Sequence, residues 1–112
     1  MNGIHKSYME KAFSLAEKAL KNGEIPIGAI IVHNSKIIGR GYNQTELLKD
    51  PTAHAEIIAI TAAANTLEDW RLNDSILYVT KEPCAMCAGA IINSRLKQVV
   101  FGCYDEQKGC CG

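Results

Sequence analysis

Two short segments constrain this chain more than anything else in it: His54-Ala55-Glu56 and Pro83-Cys84-Ala85-Met86-Cys87. Between His54 and Cys84 lie 29 residues, room for a helix, a loop and a strand. A fold that uses both segments must therefore bring two distant stretches of chain together. Imidazole and thiolate form a donor set suited to Zn2+. Cys84 and Cys87, three apart at a predicted helix start, fall on one face of the first turn. The N-terminal end of a helix favours anions, which predicts lowered thiol pKa values and thiolates near neutral pH. His54 follows Pro51 and stands near the start of another predicted helix, where a ligand projects from a helix end.

Three protein ligands, His54, Cys84 and Cys87, leave one position open on a tetrahedral zinc, the mark of a catalytic site. Zinc in that state lowers the pKa of water from ~15.7 to about 7. Glu56 is offset from His54 around the helix, so it approaches the metal-bound water without becoming a ligand. That is the place for a general base. Two rival chemistries compete with this one. A thioredoxin-like Cys-x-x-Cys pair leaves His54-Ala55-Glu56 and Pro83 without a role. A structural zinc closed by Cys103, Cys110 or Cys111 leaves Glu56 without one.

Hydrophobic periodicity places these segments on a fold. Ser7-Tyr8-Met9-Glu10 has the form of a capping box, and the apolar spacing that follows predicts a helix over about residues 8–21, stopped by Gly23. Residues 27–32 and 36–42 read as strands of a hairpin around His33-Asn34-Ser35. Residues 53–67 read as a second helix, 75–80 as a third strand, 85–93 as a third helix and 98–102 as a fourth strand. The order αββαβαβ predicts an α/β fold, a mixed sheet with helices on both faces. Trp70 reads as a packing anchor, and His5 and His33 as exposed.

Composition narrows the class. The 112 residues suit one domain spanning 1–112, with no repeat or low-complexity tract. Hydrophobic residues are 47% of the chain, enough for a core without disulfides. Lys plus Arg and Asp plus Glu are 12 each, which weighs mildly against a nucleic-acid partner. The beginning lacks the apolar region of a secretory signal, and no run approaches the ~20 apolar residues of a membrane span. Five cysteines in such a chain point to metal or redox chemistry and a cytoplasmic setting.

His-x-Glu followed by Pro-Cys-x-x-Cys is the signature of the zinc nucleobase deaminases. From Ile25 onward the chain resembles the bacterial tRNA-specific adenosine deaminases more specifically. The matching stretches include residues 25–29, Gly41-Tyr42-Asn43, residues 50–57, residues 77–90, Ser94-Arg95 and residues 99–102. The resemblance implies a three-layer α/β/α cytidine deaminase-like fold and one Zn2+ per chain held by His54, Cys84 and Cys87. It implies hydrolytic deamination of wobble adenosine in the tRNA anticodon loop to inosine, with Glu56 as proton shuttle, in a homodimer. Asn43 resembles the residue that hydrogen-bonds the purine, Asp105 an aspartate beside the RNA loop, and the Ala55 and Cys84 N–H groups would orient the base or water. Members of the family continue past the position of Gly112 with another strand and C-terminal helices, which implies that this chain lacks that part. A guanine or cytosine-type free-base or nucleoside deaminase, and a non-catalytic zinc-binding subunit, stay as alternatives.

Overall fold

The computed structural model of the chain describes residues 3–102. Its elements are α1 (Gly3–Lys21), β1 (Gly28–His33), β2 (Lys36–Tyr42), α2 (Thr45–Leu48), α3 (Ala55–Leu67), β3 (Ser75–Val79), α4 (Ala85–Asn93) and β4 (Gln98–Phe101). The order matches the expected αββαβαβ except for α2, a single turn between β2 and α3. The strands form a mixed sheet in the order β2-β1-β3-β4. β1 runs antiparallel to both β2 and β3, whereas β3 and β4, joined across α4, are parallel.

β1 shows why the sheet carries helices on both faces. Its side chains alternate, so Ala29 and Ile31 enter one core cluster while Ile30 and Val32 enter the other. The first cluster takes Ala55, Ala59 and Ala63 from α3 together with Leu77 and Val79. The second takes Met9 and Ala12 from α1 together with Tyr78. This is the expected three-layer α/β/α arrangement. The hairpin turns at Asn34 and Ser35, with φ of 50° and 64°. Two successive left-handed residues match the twist of the flanking strands.

Three expectations need correction. α1 begins at Gly3, so Ser7 lies inside the helix and does not cap it. The extra turn is tied down by His5, whose Nδ1 lies 2.7 Å from the Tyr78 hydroxyl, and by Tyr8, whose ring packs 5.2 Å from that of Tyr78. His5 and His33 are accordingly half-buried, His33 lying 3.1 Å from the Ser75 hydroxyl. Trp70 is 54% exposed and is no core anchor. The guanidinium groups of Arg71 and Arg95 lie 4.6 Å and 5.6 Å from its ring centroid, so it joins the exit of α3 to that of α4 by cation–π contact.

The seat of α3 on β2 fixes the position of the His-x-Glu segment within the fold. Ala55, Ala59 and Ala63 form a stripe of four-residue spacing that lies over Gly39 and Gly41. A Cβ at Gly41 would overlap the Ala55 carbonyl oxygen and approach Ala59 N to 2.8 Å, and one at Gly39 would come within 2.9 Å of Ala63 N. Gly41→Ala is therefore expected to destabilise the protein by about 1–3 kcal/mol through overpacking. Urea unfolding midpoints of the two proteins measure this, and an unchanged midpoint would contradict so close a contact.

Candidate metal centre and active site

Both halves of the motif stand at helix starts. His54 is the N-cap residue of α3 and Cys84 that of α4, each with extended backbone (φ −80°, ψ 154° and φ −75°, ψ 176°). Neither side chain caps its own helix, so both can point elsewhere. Cys87 follows in the first turn of α4. The approach of the second segment is fixed by Thr80, whose N–H donates to the Gly28 carbonyl at 3.0 Å while its hydroxyl accepts the Gly28 N–H at 3.1 Å.

His54 Nδ1 lies 3.6 Å from Cys84 Sγ and 3.5 Å from Cys87 Sγ. Zinc bonded to a nitrogen at ~2.0 Å and a sulfur at ~2.3 Å in tetrahedral geometry holds those atoms about 3.5 Å apart. The three donor atoms lie within 4.8 Å of one another, and among the described residues this is the one His, Cys, Asp and Glu cluster of three or more that fits a metal. The donor set and its spacing thus fit a tetrahedral ion. Cys84 is exposed, His54 half-buried and Cys87 fully buried, so the centre opens on the Cys84 side.

Electrostatics at Cys87 depart from expectation. The helix start is outweighed by burial, which pushes its thiol far above the ordinary range, with Glu56 and Cys84 acting in the same direction. A bound cation reverses that balance, because it stabilises the thiolate outright. Glu56, second residue of α3, is 3% exposed. Burial pushes its carboxyl above the ordinary value, while its own N–H, His54 and the Cys87 thiol pull it down. Its Oε1 is buried with no hydrogen-bond partner among the described residues, an orphaned acceptor two residues from His54.

Asn43, directly after β2, is 1% exposed. Its Oδ1 accepts the Ala55 N–H at 2.9 Å. Asn43 thereby satisfies a donor at the start of α3 that His54 leaves unserved, which releases the imidazole for the metal. The Ala55 N–H, expected to orient the base or water, donates to Asn43 Oδ1, and Ala55 is fully buried. Asp105 lies outside the described residues, as do Cys103, Cys110 and Cys111. The sequence points to the three donors that the structure brings together but not to the cap by Asn43. Nor does it single out Glu24, a buried carboxylate bonded to α2, whose one signal is an acidic residue opening the apolar run Ile25-Pro26-Ile27.

Comparison with known proteins decides the family. The model of the MafB19-like deaminases matches residues 4–109. The chain belongs to that family. Among its relatives, the tRNA-specific adenosine deaminase of Bacillus subtilis is 49% identical over 105 residues, covering 94% of the chain. The chain spans 65% of that relative's own length. A solved structure from biochemical and structural studies of A-to-I editing by tRNA:A34 deaminases is 43% identical, with a TM-score of 0.86, covering 89% of this chain and 72% of the other. Guanine deaminase from Bacillus subtilis is 40% identical, also with a TM-score of 0.86, covering 92% and 65%. Among the described residues no helix is long and apolar enough to cross a membrane.

The raised Glu56 pKa makes a prediction for the metal-free protein. A carboxyl whose folded pKa exceeds its unfolded value adds stability that is fully present below the ordinary 4.5 and is lost as pH rises through the folded value. Metal-free Glu56→Gln is therefore expected to be more stable than metal-free wild type near neutral pH, with the gap closing at about pH 4. Urea titrations of both proteins at the two pH values check this; a gap that widens in acid would reverse the sign.

Proposed function

We propose that this protein is a zinc-dependent hydrolytic deaminase converting adenosine to inosine at the wobble position of tRNA. The observation that carries the chemistry is the unpartnered Glu56 Oε1 beside a three-donor set. His54 Nδ1 and the sulfurs of Cys84 and Cys87 would hold one zinc per chain. Zinc bound there supplies Lewis acidity that lowers the pKa of water from ~15.7 to about 7.

The rest of the chemistry belongs to the chain. Glu56 takes a proton from the attacking water and delivers it to N1 of adenine as the new C6–O bond forms. It then carries a proton to the departing amine, so that adenosine and water leave as inosine and ammonia. A buried carboxyl next to the donor set suits both directions of transfer. Asn43 Oδ1 is engaged with the Ala55 N–H, which fixes the plane of its amide, and the amide NH2 group would then face an acceptor on the purine. Asp105 and the N–H of Cys84 are proposed to assist binding beyond it.

The choice of substrate rests on the 49% identity to a tRNA-specific adenosine deaminase. An anticodon loop suits the site because its unpaired bases can be splayed into a pocket. A homodimer in the cytoplasm completes the reading. Guanine is the second candidate, since the fold matches a guanine deaminase as closely as a tRNA:A34 deaminase. An intact Glu56 stands against a purely structural subunit.

Zinc-loaded protein incubated with an anticodon stem-loop carrying wobble adenosine, and in parallel with guanine and cytidine, should form inosine within the RNA and release ammonia. Ammonia from guanine alone would replace adenosine by guanine in this reading. Glu56→Gln should retain one zinc per chain, by elemental analysis, while deamination falls about 10²–10⁴-fold. Full activity in that variant would remove Glu56 from the mechanism.

A further inference from the structure

We propose that Glu24 is a positioning residue for the reaction: its buried carboxylate caps α2 and, through α2, holds Asn43 against the start of α3. The inference rests on the deaminase reading for its effect on substrate.

Glu24 lies in the connection between α1 and β1 and is 5% exposed. Its Oε1 accepts the Glu46 N–H at 3.1 Å and the Thr45 hydroxyl at 3.5 Å, and its Oε2 accepts the Leu47 N–H at 2.9 Å. No Lys or Arg among the described residues forms an ion pair with it. A buried carboxylate without a cation is costly unless its lone pairs are occupied. Here the donors of one helical turn occupy them, and the turn's dipole favours the negative charge.

The dependence runs the other way as well. α2 has four residues, far below the length at which a helix persists unaided. Its own N-cap residue, Gln44, makes no side-chain cap bond. The cap comes from Glu24, some twenty residues earlier in the chain. The same connection grips the segment a second time, because the Ile27 carbonyl accepts the Asn43 N–H at 3.1 Å. The Gln44 N–H donates to the Ala53 carbonyl at 3.0 Å, closing the base of the loop. Asn43 sits between these anchors, one residue before Gln44, with its Oδ1 on the Ala55 N–H. Loosening α2 therefore releases Asn43 from one side, while the β2 end and the metal ligands stay in place.

A carboxylate is required, not merely a polar group. Both of its oxygens accept, and a glutamine would turn one NH2 group toward a backbone N–H. Glu24→Gln, studied as the zinc-loaded full chain, is expected to speed amide exchange at Glu46, Leu47 and Ala55 about tenfold or more. Zinc stays at one per chain. With the wobble-adenosine stem-loop, KM rises about tenfold and kcat stays within about threefold. Glu24→Asp keeps the charge at shorter reach and should fall between wild type and Gln in both readouts; if Glu24→Gln does not fold, Glu24→Asp decides by the same criteria. Unchanged exchange at Ala55, or a parallel loss of kcat and zinc without a selective rise in KM, would overturn the proposal. If the wild-type protein forms no inosine in the RNA, the functional reading fails by itself, and Ala55 exchange still decides whether Glu24 holds Asn43.

Discussion

The backbone of α3 rests directly on the backbone of β2, at Gly39 and Gly41, and the placement of the candidate centre depends on that contact. Alanines at 55, 59 and 63 supply the thin face on the helix side. Larger residues on either surface would lift the helix away from the sheet. Because the contact begins at Ala55, the helix meets the strand beside the two residues that matter most, His54 and Glu56. Position along the helix axis is then set by Asn43, which leaves β2 immediately after the glycines and receives the Ala55 N–H. Steric fit and one hydrogen bond together leave His54 little freedom.

The second half of the centre is reached from the other side of β1. β3 pairs with β1 along its length, and the reciprocal bonds between Thr80 and Gly28 close the pairing at the end nearest Pro83. Cys84 and Cys87 then arrive beside His54 at the start of α4. What gathers here is electrostatically uncomfortable in the absence of a cation. Cys87 is a buried thiol pushed toward its protonated form by its own burial and by the Glu56 carboxyl, itself raised by burial. A divalent ion bound among these donors would relieve both at once.

Much of this is legible in the sequence, for identifiable reasons. Strands β1 to β4 and helices α3 and α4 fall within a residue or two of their expected places, because period-2 and helical apolar patterns report burial directly. The cluster of His54, Cys84 and Cys87 with Glu56 beside it is legible because metal chemistry restricts residue type and spacing together. α2 is not, since a four-residue turn carries no periodicity. The start of α1 is obscured because Ser7 and Glu10 imitate a capping box, whereas the tie from His5 to Tyr78 spans most of the chain. Trp70 misleads for a related reason: an aromatic after a helix suggests burial, and nothing local shows that Arg71 and Arg95 will cover its face. The elevated Cys87 thiol follows from depth of burial, which outweighs the helix end in a way that spacing does not encode.

The cap that Asn43 provides for α3 also has a meaning for the order of assembly. A helix capped by its own preceding residue can be nucleated locally, early and alone. α3 borrows its cap from the far side of a loop, so that bond helps the helix start only once the chain between Asn43 and Ala55 has closed on itself. A helix end held in this way forms together with its loop and not ahead of it. An ion entering the centre would then meet donors that the sheet and this loop bring together, in contrast to small zinc modules whose chain is shaped around the ion.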